Sequence, residues 1–327
     1  MFSLFIADGI VRDTEGGTTC EERVKIPVVG RKWNENGSSI VLEWSHTDGR
    51  VFDIQLQCDA GTERSTREIF GLRDTSVVVT RLWHDTTYHV SIWVQGRPGT
   101  KGVIDVSTLP AITSDVQFDE KKASKDVDVY NDGMRLSAKG AVIEVKSPEL
   151  TNMNYPSISG TFGRRELTGS YNYWELKVKF RMNPLVKTGQ EWAFDLGLYC
   201  SDILTNFDNA SPVSTTYTCR AVKYGKKFAR LEFGTNGNTT LLPARDLEWT
   251  NENFYFYFGF FLNLKARTFS VLDRAKNGIL YTFNDIRITD NYLPMFSVSK
   301  KKNTIQEMHL GDTTQATVPD IVYEMLV

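Results

Sequence analysis

The stretch from Gly169 to Phe180, GSYNYWELKVKF, constrains the fold more than any other part of the chain. From Tyr173 onward, polar or charged side chains alternate with apolar ones for eight residues. A period of two is typical of a β-strand with one buried face. The pattern predicts Trp174 in a hydrophobic core and Glu175 in a cross-strand ion pair on a solvated face.

Similar short patterns recur between residues 26 and 110. Strand-like segments with one apolar face include SSIVLEWSH from Ser38, VFDIQLQC from Val51 and TYHVSIWVQG from Thr87. Turn sequences such as Thr47-Asp48-Gly49 separate them. Several strands at a spacing of roughly ten residues indicate an all-β sandwich.

The rest of the chain is also strand-rich and shows no convincing helical period. Its most apolar segment, NFYFYFGFFLNL from Asn253, is apolar on both faces. This predicts a strand covered on both sides, as in the middle of a two-sheet sandwich. Residues 111–126, centred on DEKKASKD, have the charge run of a solvated linker. The predicted divisions are an N-terminal segment 1–25, a first sandwich 26–110, a charged linker 111–126, a second sandwich 127–312 and a C-terminal tail 313–327.

Composition excludes several classes of protein. The 327 residues are 41% apolar and 12% aromatic, enough to fill two cores, and the net charge of −2 gives no basic field for nucleic acid. No apolar run approaches the ~20 residues that a membrane span needs, and the first residues lack the basic region of a secretory signal. The four cysteines and four histidines do not cluster. We therefore expect no metal, no cofactor, and reduced thiols in the cytoplasm.

The first sandwich resembles a fibronectin type III domain. The resemblance rests on Trp44 in an early strand, on Leu82 six residues before Tyr88, and on Ser107-Thr108-Leu109-Pro110 at the end. In that family Leu82 and Tyr88 would form a tyrosine corner, in which the hydroxyl group bonds back to nearby backbone. The resemblance implies an immunoglobulin-like sandwich over residues 26–110.

The second sandwich resembles the SPRY family through four motifs in the family's order. These are a glycine turn and Tyr-Trp-Glu strand at Gly169–Glu175, a W-x-x-x-L-G strand at Trp192–Gly197, a G-x-F-L strand and its partner at Gly259–Leu262 and Thr268–Val271, and Leu280–Phe283 before Pro294–Ser297. The resemblance implies a concanavalin-like two-sheet sandwich. A departure is the turn Asn263–Arg267, which lacks the family's acidic, glycine-containing sequence.

A fibronectin type III domain followed by a SPRY domain is similar to the C-terminal half of tripartite-motif (TRIM) E3 ubiquitin ligases and of related proteins. This chain shows no Cys/His zinc ladder, and no sustained heptads precede residue 26. The resemblance therefore implies the substrate-recognition part of such a ligase, a non-catalytic protein-interaction module. Ligase activity would need a RING domain, which the chain does not contain.

No catalytic motif stands out either, since G-x-S-x-G, P-loop and G-x-G-x-x-G sequences are all missing. SPRY domains bind peptides or protein surfaces through loops at one rim of the sandwich. By position within the matching motifs, the partner-binding residues would be Ser201, Asp202, Arg220, Tyr224, Ser299 and Lys300.

Two alternatives remain open. A lectin-like glycan-binding protein is one, because SPRY sandwiches share their architecture with legume-type lectins, and Asp202, Asn206, Asp208 and Asn209 are close enough in sequence to hold calcium. The other concerns the tail, which contains a Y-x-x-Φ sorting signal at Tyr323–Leu326 and a terminal PDZ-type ligand sequence. The simpler expectation is that the tail packs back on a domain or lies disordered.

Overall fold

The computed structural model describes residues 38–44, 50–60, 63–74, 76–113, 115–139, 158–181, 190–200, 216–224, 228–235, 245–248, 254–287, 291–299, 305–311 and 318–326. The regular secondary structure of these residues is almost entirely antiparallel β-strand, which confirms the predicted all-β class. The chain divides into two compact units, residues 1–111 with 317–327, and residues 112–316.

The first unit contains a two-stranded and a four-stranded sheet. Strands β1 (Ile40–Glu43) and β4 (Ser76–Val79) form the smaller sheet. The larger has the spatial order β3 (Glu63–Leu72), β2 (Phe52–Ala60), β5 (Thr87–Val94) and β6 (Arg97–Ser107). Because one apolar cluster takes side chains from both sheets, their inner faces share one core.

The alternation predicted for these strands is confirmed. Trp44 is buried and meets Phe52 edge-on, with ring centroids 5.8 Å apart. Leu82 and Tyr88 are also in the core. The Tyr88 hydroxyl oxygen accepts a hydrogen bond of 2.8 Å from the Trp83 backbone N–H, which is the contact that the tyrosine-corner prediction requires.

The second unit contains two larger sheets. The seven-stranded sheet has the order β17 (Gly278–Phe283), β16 (Thr268–Asp273), β15 (Phe254–Asn263), β10 (Tyr171–Arg181), β19 (Ile305–Leu310), β8 (Arg135–Ala138) and β7 (Val127–Tyr130). The six-stranded sheet has the order β14 (Arg245–Glu248), β13 (Phe228–Thr235), β12 (Thr216–Tyr224), β11 (Gln190–Cys200), β18 (Tyr292–Ser299) and β9 (Ile158–Phe162).

Aromatic rings fill the space between these two sheets. Trp174 on β10 is 1% exposed, which confirms its place in the core, and its ring stacks on those of Phe260 and Phe269 at 5.3 and 6.0 Å. Phe180, also on β10, meets Phe194 of the opposite sheet edge-on at 5.5 Å. The two sheets therefore pack face to face as a sandwich.

A close backbone approach explains the glycine of the Leu-Gly pair in β11. A Cβ atom at Gly197 would lie 1.9 Å from the carbonyl oxygen of Tyr217 on the neighbouring strand. No side chain fits at that distance. Any residue other than glycine would push β11 and β12 apart.

The expectation of a solvated linker at 111–126 is wrong for the part of that segment that packs on the second unit. Val116 is 4% exposed and Phe118 is fully buried, and both belong to the core of the second unit. Phe118 meets Phe296 edge-on at 4.7 Å. Glu120, Lys121 and Lys125 of the charge run are exposed, whereas Asp119 is buried and pairs with Lys122 at 3.3 Å. The two apolar residues before the run anchor the segment.

The prediction that β15 is covered on both faces is only half right. On the core face Phe258, Phe260 and Leu262 are buried and Phe254 and Phe256 are partly buried, and Phe261 on the other face is buried as well. Tyr255, however, is 70% exposed and Tyr257 is half-buried. The outer face of the seven-stranded sheet is therefore open at this end of β15.

The helix α1 (Asp320–Glu324) is the one helix among the described residues. It has five residues, and no described helix is long and apolar enough to cross a membrane. Val322 and Tyr323 are buried. A tyrosine in this environment is not presented as an extended sorting signal.

Replacing Trp174 by alanine should remove the ring on which Phe260 and Phe269 stack. We expect the free energy of unfolding, measured by urea titration, to fall by about 3–5 kcal/mol. Tyr255→Ala is the matched control, because it truncates an exposed aromatic residue of the same sheet and should change stability by less than about 0.5 kcal/mol. A similar small loss in both variants would contradict the assigned register.

Candidate functional site

The six predicted partner-binding residues have different positions in the structure. Ser201, Asp202 and Lys300 lie outside the described residues. Arg220 lies inside β12, whereas Tyr224 and Ser299 are the last residues of β12 and β18. The role of the set as a binding surface remains a prediction.

Strand pairing brings Tyr224 and Ser299 to one end of the six-stranded sheet. Tyr224 lies opposite Gln190, the first residue of β11. Ser299 is one residue beyond the pairing of Val298 with Phe194, near the same end of β11. These two predicted residues are therefore near the same rim.

Cys200, which directly precedes Ser201, ends β11 at the other end of the sheet. It lies opposite Tyr292, the first residue of β18. The length of β11 from Gln190 to Cys200 is roughly 33 Å at the usual rise of a strand. Tyr224 and Cys200 are therefore at opposite ends of the six-stranded sheet.

Arg220 lies within the sheet and is almost completely buried. Its Nε atom lies 3.2 Å from Oδ1 of Asp195, and both side chains are only 6% exposed. The two residues lie opposite each other on β12 and β11. Nη2 of Arg220 also donates to Oγ1 of Thr218 at 3.3 Å. The guanidinium group is therefore engaged inside the protein.

A second carboxylate continues this arrangement on β13. Glu232 lies opposite Arg220 and is 4% exposed. Asp195, Arg220 and Glu232 thus form a buried row across three neighbouring strands, here called the carboxylate–arginine row. Burial raises the pKa of Asp195 to about 6; Arg220 acts against this increase and Glu232 adds to it.

The row lies on the face of the six-stranded sheet opposite the shared core, because the adjacent residues Leu196, Cys219 and Leu231 point into that core. Ser297 on β18 supports it: its Oγ atom donates to the Asp195 carbonyl oxygen at 3.1 Å and accepts from the Asp195 N–H at 3.2 Å.

Sequence reasoning missed Asp195 and Glu232. The available signal was a single charge flanked by apolar residues on each strand, and only the register unites them.

The expectation of a solvated Glu175 is wrong. Glu175 is 7% exposed, and its Oε1 atom accepts hydrogen bonds of 2.6 Å from the Tyr173 hydroxyl and from Nε of Arg274. The Tyr257 hydroxyl donates to Oε2. Its partner is therefore an arginine in the turn after β16, not a neighbouring lysine.

The backbone makes room for this second buried network. Gly259 lies opposite Glu175, and a Cβ atom there would lie 2.9 Å from the Tyr173 hydroxyl oxygen. Burial, followed by the hydrogen bond to Glu175, raises the pKa of Tyr257 to about 12. The tyrosine therefore stays protonated and keeps donating. The Glu175 network joins β10, β15 and the turn after β16.

Neither network suggests a metal centre. Among the described residues, no group of three or more His, Cys, Asp or Glu side chains is arranged to hold a metal ion. In each network the carboxylate that contacts arginine is buried, so that removing one partner of the pair would leave a buried charge uncompensated. Among the described residues of the second unit, exposed aromatic area is found on the open face around Tyr255.

No family model and no curated protein matches the sequence. Among solved structures, the TRIM65 PSpry domain is 10% identical with a TM-score of 0.37, covering 61% of this chain and 90% of that chain. The SPRY domain of human HERC1 is 14% identical with a TM-score of 0.33, covering 61% and 99%. Stonustoxin is 15% identical with a TM-score of 0.40, covering 68% of this chain and 35% of that chain. At these scores the similarity does not establish a family.

Asp195→Asn should change how stability depends on pH. The pKa of Asp195 is raised from 3.8 to about 6 in the folded protein. Between about pH 4 and pH 6 the folded protein therefore holds a proton that the unfolded chain releases, and this contribution to stability is lost as the pH rises. We expect the free energy of unfolding to decrease less between these pH values in the variant than in the wild type.

Asp285→Asn is the matched control, because Asp285 is exposed. It should leave the pH dependence close to that of the wild type. Urea titrations of all three proteins at both pH values make the comparison. An identical pH dependence in the Asp195 variant and the wild type would contradict the pKa assigned to Asp195.

Arg274→Met should destabilise the second unit by leaving a buried carboxylate without its cation. Removing one partner of a buried ion pair typically costs about 3–5 kcal/mol, and the Tyr173 and Tyr257 hydroxyls favour the lower value here. Lys276→Met in the same exposed turn should change stability by less than about 0.5 kcal/mol. Equal effects in a urea titration would show that the Glu175–Arg274 pair does not stabilise the fold.

Proposed function

We propose that the chain is a non-catalytic protein-interaction module with a SPRY-type sandwich as its recognition part. One observation carries this proposal. The segments that resemble the SPRY motifs lie on neighbouring strands: Gly169–Glu175 leads into β10, which pairs with the Gly259–Leu262 strand, and that strand pairs with Thr268–Val271. The W-x-x-x-L-G and Pro294–Ser297 strands pair in the other sheet.

We further propose that the first unit is a fibronectin type III domain that acts as a spacer or as a second contact. Two features support this: the combination of a two-stranded with a four-stranded sheet, and the bond from the Trp83 N–H to the Tyr88 hydroxyl. Together the units correspond to the substrate-recognition end of a TRIM-type ligase. Buried thiols at Cys58 and Cys219 fit the predicted cytoplasmic location.

The proposed contact surface is the rim at the end of β12 and β18. Tyr224 and Ser299 end their strands there, and Lys300 follows Ser299. A tyrosine offers flat apolar area and a hydroxyl group, and a lysine offers a charge that can fix the orientation of a partner. Arg220 takes no part in this surface because it is bound to Asp195. Ser201 and Asp202, which follow Cys200 in the sequence, are a separate candidate contact.

Tyr224→Ala tests this proposal. The tagged full chain and the variant are expressed in cells, and co-purifying proteins are quantified by mass spectrometry. A contact residue at the centre of an interface should cost at least about 2 kcal/mol, so recovery of a direct partner should fall at least about tenfold. Asp202→Ala, measured in parallel, tests the predicted contact that follows Cys200 in the sequence.

Phe70→Ala is the control, because it removes an aromatic side chain that is 61% exposed in the first unit. It should leave partner recovery unchanged. Equal recovery with the wild type, Tyr224→Ala and Asp202→Ala would contradict a rim contact. A rise in melting temperature on calcium addition would instead favour the lectin-like alternative, in which Asp202 and its neighbours hold the ion.

A further inference from the structure

The open face of the seven-stranded sheet carries a group of exposed and half-buried side chains, of which only Tyr257 also belongs to the Glu175 network. It consists of Lys177, Lys179, Tyr255, Tyr257 and His309, here called the lysine–tyrosine face. The register places these residues side by side: Lys177 lies between Tyr257 and His309, and Lys179 lies opposite Tyr255. Three strands, β15, β10 and β19, therefore contribute to one surface.

The lysines of this face have no carboxylate partner among the described residues. Glu175 is bound by Arg274, and Glu307, which lies opposite Lys179, is bound by Arg135. The nearby acids are thus already paired. Lys177 and Lys179 leave an excess of positive charge on this surface, although the whole chain carries a net charge of −2.

The charge on His309 reflects the same surroundings. Burial lowers its pKa first, and Arg135, Lys177 and Lys179 lower it further. Glu307 lies 3.5 Å from Nε2 of His309. At neutral pH the imidazole is therefore uncharged and available as a hydrogen-bonding group between the two lysines and Arg135.

The tyrosines hold the two ammonium groups in place. Nζ of Lys177 lies 5.0 Å from the centre of the Tyr257 ring, and Nζ of Lys179 lies 5.9 Å from that of Tyr255. Such contacts restrict long side chains before a partner arrives, which reduces the entropy lost on binding. Tyr255, at 70% exposure, adds a flat apolar surface beside the charges.

We propose that the lysine–tyrosine face binds an extended acidic peptide segment with carboxylates at alternate residues. Lys177 and Lys179 are two residues apart on one strand, roughly 6.6–6.8 Å, which is the spacing of alternate side chains in another extended chain. The exposed tyrosine would contact the apolar atoms between the carboxylates. This surface is on the seven-stranded sheet and does not depend on the rim of the six-stranded sheet.

A peptide fits this face better than a nucleic acid does. Nucleic-acid binding takes its affinity from many phosphate contacts. This surface offers only two lysines that have no carboxylate partner in the part of the chain that the structure describes. A paired arginine on either side, Arg274 and Arg135, is already committed to a glutamate. The available positive charge is therefore confined to Lys177 and Lys179, which is enough for a short acidic segment.

The test uses the full chain and a fluorescein-labelled peptide of five Glu-Thr repeats, with fluorescence anisotropy at low salt. The double variant Lys177→Glu/Lys179→Glu should weaken binding at least about tenfold, because it replaces two attractive contacts by repulsive ones. Tyr255→Ala should weaken it severalfold. Melting temperatures near that of the wild type will show that the variants fold.

Lys121→Glu/Lys125→Glu is the matched control, because it makes the same charge change at two exposed lysines of the same unit. It should alter affinity by less than about twofold, and a peptide of five Gln-Thr repeats should not bind. Equal weakening by both double variants, or no binding of the acidic peptide, would overturn the proposal. Tighter Lys177-dependent binding of oligothymidylate or of phosphatidylserine vesicles would also overturn it, in favour of a general polyanion site.

Discussion

The stack of Trp174 on Phe260 and Phe269 fixes the second unit, because it ties three adjacent strands at the middle of one sheet. Side chains of a strand alternate between faces, so placing Trp174 in the core places its neighbours Tyr173 and Glu175 on the outer face. A slip of one residue would bury lysines and expose the tryptophan. The buried network and the exposed lysines therefore depend on the same register.

Strand β10 shows how neighbours decide what a charged side chain does. Glu175 and Lys177 are two residues apart on the same face, yet one is buried and the other exposed. Gly259 opposite Glu175 leaves space for the Tyr173 hydroxyl, and Arg274 reaches the carboxylate from the turn after β16. Lys177 faces the half-buried Tyr257, which leaves its ammonium group at the surface. The buried Glu175–Arg274 pair therefore lies beside Lys177, whose exposed charge is accessible to a binding partner.

The sequence was informative where a single strand contains the whole signal. Alternation predicted the strands around Trp44, Tyr88 and Trp174, and the buried residues agree. It was uninformative where the partner lies elsewhere in the chain: Arg274 is 99 residues from Glu175. The row of Asp195, Arg220 and Glu232 likewise appears only when three strands are placed in register. The charge run at 111–126 concealed two core residues, since composition averages over side chains that point in different directions.

The segment that begins at Ile112 determines how much of the chain the second unit needs to fill its core. Thr113 bridges to Asn172, and the Phe118 backbone N–H donates to the carbonyl oxygen of Gly133 at 2.7 Å, while its ring occupies the core. A gene fragment that began at the first strand of the sheet, Val127, would encode a sandwich with an aromatic-sized hole. A fragment of this unit therefore keeps its core filled only if it includes Val116 and Phe118 as well as the strands.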